Sequence, residues 1–397
     1  KPPFKISINM KFEISKQFLI KSTSQEPLVN NIMDRTLEIV LLSLGAIWLL
    51  WALFITIFIL RWIRKLSYLA KDCIRFNKQY EAFTRNDYNN WSPFCMVLSG
   101  IFIFPVKVVL IVFFCVTALV LVKFFKFLFC VRSYDDERPV FRFFCTFVCK
   151  TCTRIICLLC GIITTYKKVT LNPSKYPKIK INTEIQTSPI MISNHTSWTD
   201  IFFYMSRLSP GFVSKAAVKK VPLVSTLAQF LQSIFVEREN SSNREAALEK
   251  IEERVDAILS GRKLNSIMVF PEGTTTNGKC VIGFKKGAFS TKSGVKIHAL
   301  RYNGRVNLAL STVKDIDAFL CALFQLYQPT DWIEVNGVIE NVHGLDPEEF
   351  AEEVRRIFVE DLGFDSSRNT FRDKTKFEKM IQQSKGDFNE LQQLLLN

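Results

Sequence analysis

The stretch Ile39 to Leu60, IVLLSLGAIWLLWALFITIFIL, carries no charge and is long enough to cross a bilayer. No other feature constrains the chain as much, because a soluble core helix is rarely apolar on every side for that length. The stretch starts too late to be a cleaved signal peptide, and it lacks the small-residue exit of one. Arg61, Arg64, Lys65, Lys71 and Arg75 follow it, with Asp72 the acid among them, whereas Asp34 and Glu38 stand beside Arg35 ahead of it. This bias puts the C-terminal flank on the cytosolic side or its equivalent.

Two weaker apolar stretches follow. Phe94 to Val122 is interrupted at Pro105 and Lys107. A central lysine is costly in a straight span, whereas a hairpin that dips in and returns gives it a tolerable place. The basic Lys123, Lys126 and Arg132 beyond it match the preceding loop in sign, so residues 94–130 are expected to be re-entrant, with a spanning helix as the alternative. Phe141 to Thr164 is punctuated by Arg142, Lys150 and Arg154, which suits an interfacial helix. This third stretch holds Cys145, Cys149, Cys152, Cys157 and Cys160. Its two Cys-x-x-Cys pairs lie far closer together than the ~12–20 residues usual in zinc sites. At 100° per residue, Cys145, Cys149, Cys152 and Cys160 share one helical stripe and read as small polarizable packing residues, with acylated or redox-active thiols as the alternative. Eleven cysteines scattered through apolar segments point to a reducing compartment. Neither a metal site nor a structural disulfide is expected.

The net charge of +15 calls for an anionic partner: nucleic acid, a lipid surface or a phosphorylated substrate. The sequence has no zinc-finger spacing, basic zipper or RNA-binding aromatic signature. It is 48% hydrophobic, so lipid and phosphate are the expected partners and nucleic acid is not. A charged fraction of 22% also excludes a disordered chain.

From about Tyr166, short β-rich runs alternate with amphipathic helices, the pattern of an α/β domain. Pro189 to Ser193 and Ser266 to Phe270 read as buried strands. Ser242 to Glu245 is a capping box opening a helix whose apolar face is Leu248, Ile251, Val255, Ile258 and Leu259, and Gly261 fits its stop. Asp346-Pro347 with Glu349 starts another helix, which Gly363 ends. The expected divisions are an N-terminal segment (1–38) and a membrane region (39–165), with a transmembrane helix at 39–60 and an interfacial helix at 141–164. An α/β domain (166–345) and a helical tail without visible chemistry (346–397) complete the chain.

Two stretches carry chemistry. Directly after the first of those strands comes Ser193-Asn194-His195-Thr196-Ser197-Trp198-Thr199-Asp200. A histidine at a strand-to-helix turn is accessible, and a carboxylate five residues on can lie one helical turn deeper. From there Asp200 can hold one imidazole nitrogen, fix the tautomer and leave the other nitrogen free to take a proton from a hydroxyl. The second stretch, Phe270-Pro271-Glu272-Gly273-Thr274-Thr275-Thr276-Asn277-Gly278, follows the other strand. Its glycine permits close backbone approach, and its threonine hydroxyls and amides can face an anion. Gly273 to Lys279 also matches a nucleotide-binding P-loop, but Cys280 replaces the hydroxyl that would hold magnesium and the β-branched run after it cannot open the required helix.

Taken together, these stretches resemble the glycerolipid and lysophospholipid acyltransferase family. NHTSWTD matches its His-x4-Asp block and FPEGTTTNG its Phe-Pro-Glu-Gly block, while Ile234 to Arg238 looks like its arginine-bearing block. Phe284 to Phe289 (FKKGAF) and the Phe104 to Lys107 interruption are in the style of the branch acylating lysophosphatidylcholine and lysophosphatidylethanolamine. The resemblance covers roughly Phe94 to Asp365. Two departures bear on the acceptor pocket and acyl-chain fit. Gln232 stands where the family often has glycine, and the Val295 to Tyr302 strand lacks the usual proline.

The resemblance implies an acyltransferase-type mixed α/β sheet flanked by helices, preceded by transmembrane, re-entrant or interfacial helices. It implies acyl transfer from acyl-coenzyme A, a co-substrate rather than a cofactor, to a lysophospholipid hydroxyl without an acyl-enzyme. His195 would be the base and Asp200 its orienter. Asn194, Arg238, Glu272, Gly273, Thr274 and Thr275 would bind substrate, and no metal is implied. Ser197 need not be a nucleophile, since a Gly-x-Ser-x-Gly elbow is missing. Lys215, Lys219 and Lys220 add positive field, and His298, in an alternating strand, is expected to be structural. The alternatives are an acyltransferase using lysophosphatidate or glycerol 3-phosphate, and an acyltransferase-fold subunit of a membrane complex whose other subunits would be its partners. The expected location is the endoplasmic reticulum membrane. A mitochondrial membrane is the alternative, since a leader ahead of Lys1 would hide the import signal.

Overall fold

Parallel pairing of short buried strands decides where the chain's chemistry ends up. The computed structural model describes residues 33, 35–64, 79–84, 87, 90–134, 136–237, 241–306, 308 and 315–383. Its helices are α1 (Arg35–Arg64), α2 (Pro93–Phe102), α3 (Phe104–Leu128), α4 (Pro139–Leu159), α5 (Thr199–Arg207), α6 (Pro222–Phe230), α7 (Ser241–Leu259), α8 (Asp315–Phe324), α9 (Pro347–Glu360) and α10 (Phe371–Gln383). The strands are β1 (Ile162–Val169), β2 (Lys180–Asn182), β3 (Ile190–Ile192), β4 (Gly211–Lys215), β5 (Ile234–Val236), β6 (Ile267–Val269), β7 (Cys280–Val281), β8 (Val295–Tyr302), β9 (Gln328–Val335), β10 (Val338–Glu340) and β11 (Asp365–Ser366).

The main sheet runs β1-β9-β8-β3-β6-β4-β5, with β10 bridging β2 and β8. From β8 to β5 every neighbouring pair is parallel; β9 then runs antiparallel to β8, with β1 parallel to β9. Side chains alternate across the sheet as its pleat requires. Ile190, Ile192 and Ile297 face the cluster holding Ile251 and Val255 of α7 and Phe350 and Val354 of α9. Met191, Met268 and Leu300 face the opposite cluster, built with Cys145 and Cys149 of α4 and Phe203 of α5. Helices therefore cover both faces, as a mostly parallel sheet demands.

The expected caps sit at the start of α9 and at both helix stops. Asp346 accepts the amides of Glu348 and Glu349, and Gly261 and Gly363 take positive φ beyond α7 and α9. The side chains of residues 241–244, where the capping box was expected, lie outside the described residues.

Helices α1 and α3 are long and apolar enough to cross a membrane. Most of α1 belongs to a unit ending at Phe58, and along it Leu42, Ile47, Leu50 and Leu53 are exposed. The rest of the described chain lies in a second unit that begins at Ile59. The 94–130 stretch is two helices that meet at Ile103, with Pro105 in the first turn of α3, where its missing N–H costs nothing. One face of α3 packs on α4 through Ala118, Val148 and Cys152, and the other exposes Val109, Val116, Val120 and Phe127. Helix α4 ends at Leu159, and Ile162 already begins the sheet, so the expected boundary at 165 falls inside β1.

Four cations in or beside these helices reach carbonyls at helix ends: Lys107 is buried, Arg142 half-buried, and Arg138 and Arg154 exposed. Buried Lys107 donates to the carbonyls of Leu323, at 3.2 Å, and Gln325, at the C-terminus of α8. Arg142 donates to the Phe230 carbonyl (2.7 Å) that ends α6, and Arg154 to the Ser206 carbonyl (3.1 Å) near the end of α5. Arg138 takes the carbonyls of Phe129 and Cys130 just beyond α3. Each cation meets the negative end of a helix dipole and satisfies carbonyls that have no partner within their own helix. The five cysteines of the α4 stretch, Cys145 to Cys160, are buried.

Replacing Lys107 by Met should lower the melting temperature of the detergent-solubilised protein, at a cost of about 1–3 kcal/mol for the orphaned carbonyls. An unchanged melting temperature would show that these carbonyls do not depend on the ammonium.

Candidate active site

Strands β3 and β6 are parallel neighbours, with Ile192 opposite Val269, so the turns that follow them leave the sheet side by side. The Ser193 amide still reaches the Val269 carbonyl at 3.2 Å. Carboxyl ends of adjacent parallel strands are where open α/β sheets build ligand sites. Here they join His195 and Glu272, far apart in sequence.

His195 Nδ1 lies 2.8 Å from Asp200 Oδ2. The same oxygen accepts the amides of Thr196 (2.7 Å) and Ser197 (2.9 Å), which anchors Asp200 at the start of α5. The other oxygen accepts the Tyr302 hydroxyl at 2.6 Å, and Thr199 Oγ1 donates to that hydroxyl in turn. Asp200 is fully buried with four donors, whereas the His195 side chain keeps 19% of its surface. A carboxylate on Nδ1 selects the tautomer with its lone pair on Nε2. Among the described residues nothing hydrogen-bonds to Nε2. The ring lies flat on Phe270, with centroids 4.1 Å apart and planes at 14°, which fixes its orientation.

Glu272 is buried and acts on main chain. One oxygen accepts the His195 amide at 2.9 Å and the other the Ile282 amide at 3.2 Å. Burial pushes its carboxyl up to about 8, against the pull of the two amides and of Lys374, while Asp200 adds to the rise. Thr276 closes the second tie, donating its amide to the His195 carbonyl at 2.9 Å.

The remaining expected site residues divide. Both halves of the Asn194 amide are used on Leu300 of β8, donating to its carbonyl and accepting its amide at 2.9 Å each. Gly273 has φ +67°, and a Cβ there would lie 2.5 Å from the Lys285 ammonium. Thr274 is half-buried, and Thr275 is buried with its hydroxyl accepting from Lys374 at 2.7 Å. Ser197 is buried, its hydroxyl accepting from the Thr199 amide. Arg238 lies outside the described residues; β5, which leads to it, ends opposite exposed Lys215. Lys219 and Lys220 are exposed as well. His298 is buried, its pKa pushed down to about 4 by desolvation, and accepts from the Trp332 indole at 3.4 Å.

Sequence reasoning missed three residues here: Tyr302, the second holder of Asp200; Phe270, the floor under the imidazole; and Lys285, the ammonium over Gly273. Tyr302 ends a strand read only as a departure from a motif, and nothing local signals its reach to Asp200. Gln232 has φ +61°, a conformation that favours glycine, which gives a physical reason for the glycine expected at that position.

The sequence model of the Acyltransferase family matches residues 176–303. A lysophospholipid acyltransferase of Arabidopsis thaliana is 33% identical over 172 residues, covering 43% of this chain and 43% of that one. Lysophosphatidylcholine acyltransferase 1 of Homo sapiens is 30% identical over 190 residues, covering 46% of this chain and 34% of that one. The chain thus spans less than half the length of these relatives. Among solved structures, the 1-acyl-sn-glycerophosphate acyltransferase PlsC of Thermotoga maritima aligns with a TM-score of 0.40 at 20% identity, over 66% of this chain and 98% of that chain.

Two outcomes follow from the geometry. Tyr302→Phe should leave the protein folded and lower turnover about three- to tenfold through a less firmly held Asp200, read as kcat with KM little changed. Unchanged turnover would make the Tyr302 contact incidental. Glu272 binds its proton more tightly folded than unfolded, so its contribution to stability is full below about pH 4.5 and lost as pH rises through about 8. Melting temperature should therefore fall more steeply with pH across that window in the native protein than in Glu272→Gln, and parallel slopes would refute the raised pKa.

Proposed function

We propose, on the premise that residues 176–303 form an acyltransferase-family domain, that this chain moves a fatty acyl group from an acyl-coenzyme A thioester to the free hydroxyl of a lysophospholipid. The observation that carries the reading is the His195–Asp200 pair, bonded through Nδ1 at 2.8 Å with Nε2 left for a substrate.

In this reading the acceptor hydroxyl donates to Nε2. As its oxygen attacks the thioester carbonyl, the proton passes to His195, and buried Asp200 stabilises the imidazolium. The tetrahedral intermediate collapses, the C–S bond breaks, and the imidazolium returns the proton to the departing thiolate. Direct transfer is supported by Ser197, whose hydroxyl is buried beside the Thr199 amide rather than aimed at the imidazole nitrogen. Lys285 over Gly273 and exposed Lys215 supply positive charge for phosphate groups at the rim.

The exposed apolar sides of α1 and α3 support a membrane-bound enzyme. Long acyl chains partition into lipid, so an enzyme held at the interface gathers donor and acceptor in two dimensions. The endoplasmic reticulum membrane is the proposed location, and co-fractionation with mitochondrial membranes instead would overturn that part.

The test is release of free coenzyme A by detergent-purified protein given oleoyl-coenzyme A with a panel of lysophospholipids, lysophosphatidate and glycerol 3-phosphate. Activity on a lysophospholipid should fall about 10³-fold or more in His195→Ala and in Asp200→Ala, with both variants folded and membrane-bound. Ser197→Ala should retain activity. Full activity in His195→Ala sinks the mechanism. Silence of folded native protein across the panel would move the reading to a structural subunit of a membrane complex.

A further inference from the structure

The segment beyond α9, a tail without visible chemistry in the sequence, returns to the active site. Past Gly363 the chain forms β11, which pairs in parallel with β7, the strand directly after the Glu272 turn. Helix α10 follows, and on it Lys374 is buried. Its ammonium donates to the Thr275 carbonyl at 3.0 Å and to Thr275 Oγ1 at 2.7 Å, whereas Glu378 Oε1 stands 3.9 Å away.

A second segment grips the same turn. Asn277 donates its amide N–H to the Ala82 carbonyl at 2.8 Å, and its side chain donates to the carbonyls of Glu81 (2.7 Å) and Thr84 (3.1 Å). Segment 79–84 is tied to the C-terminal region in turn. Asn369 accepts the Ala82 amide and donates to the Gln79 carbonyl, and Tyr80 stacks on Phe377 with ring centroids 4.7 Å apart. The turn so held gives Thr276 to the His195 carbonyl, and Gly278 packs against Thr196 too closely for a Cβ, which would lie 2.8 Å from Thr196 Oγ1.

We propose that Lys374 is a positioning residue for acyl transfer, acting through the Thr274–Gly278 turn on the His195 main chain, so that the C-terminal helix is a working part of the active site. The inference rests on the acyltransferase reading above and deepens it. Two effects act together. The hydrogen bonds fix the turn, and the buried positive charge favours the ionised form of Glu272, whose two oxygens then both accept amides. The groups facing Glu272 are His195, Asp200 from α5, Cys280 from β7 and Lys374 from α10, with Lys285 over the adjacent Gly273. Of these, Lys374 comes from the segment with no assigned role.

The experiment compares the full chain with Lys374→Met, which keeps the length and removes the charge, and with Thr275→Val, which removes one acceptor. Coenzyme A release is measured against pH, and amide hydrogen exchange is followed in the peptide spanning 274–284. The proposal expects Lys374→Met to lower kcat about tenfold or more near neutral pH with KM for donor and acceptor within about twofold. The acidic limb of its pH–rate profile should move to higher pH, as activity waits on Glu272 ionisation. Thr275→Val should lower kcat less and leave that limb in place. Exchange in 274–284 should rise in Lys374→Met, and in Thr275→Val if the charge variant fails to fold. Native kcat and pH profile in a folded Lys374→Met overturn the proposal, as does unchanged exchange. If the native protein releases no coenzyme A, the acyltransferase reading fails, while exchange still reports on the clasp.

Discussion

The site depends on one buried carboxylate spent on main chain. Glu272 accepts the amides of His195 and Ile282, so it binds the end of the β3 turn to the chain that leads from the Glu272 turn into β7. Together with the Thr276 amide on the His195 carbonyl, it fixes the relation of two loops that leave neighbouring strands. Desolvation makes this arrangement expensive, and the amides, with the nearby Lys374 charge, offset the expense. Asp200 follows the same logic at smaller scale, with two backbone amides holding the oxygen that also holds the imidazole. Both carboxylates are held by main-chain donors, an arrangement that would suit the proposed role of His195 as a base whose free nitrogen meets a hydroxyl.

A parallel rule governs the apolar helices. A cation inside an apolar stretch has two outlets, the aqueous boundary or a carbonyl that lacks a partner. Lys107 takes the second, and Arg138, Arg142 and Arg154 also reach carbonyls, each at or near the end of a different helix. The Lys107, Arg142 and Arg154 contacts join α3 and α4 to α8, α6 and α5, leaving outward the face of α3 that carries Val109, Val116 and Phe127. The apolar surface of α3 and the turns that carry His195 and Glu272 therefore belong to one packed unit.

This explains what the sequence could and could not show. Strands β3 and β6 were legible because full burial leaves an unbroken apolar run, and the motifs after them because glycine, proline and paired polar residues punctuate those runs. The carbonyl partners of Arg142 and Arg154 were not legible, because periodicity reports that a charge interrupts an apolar face, not where a long side chain goes next. Tyr302, Phe270 and Lys374 were silent for another reason. Each acts across a tertiary contact of high sequence separation, and aromatic or lysine side chains are the common stock of strands and surface helices. Gln232, read in the sequence only as a departure from the family's glycine, takes φ +61°, a conformation that favours glycine.

The engagement of Glu272 and Asn194 also bears on how acceptors are chosen. Their polar atoms hold His195, Ile282 and Leu300 main chain, so under the proposed acyl transfer a change at either to suit a new head group would loosen His195 itself. Selectivity is better placed where side chains carry no such duty. Lys285, whose ammonium lies over the Phe371 ring, stands beside Gly273, and Lys215 stands beside the end of β5; both are exposed. Under the proposed reaction, a lysophospholipid's phosphate would be met by such cations, so the residues that hold His195 and those that meet the acceptor would be different residues.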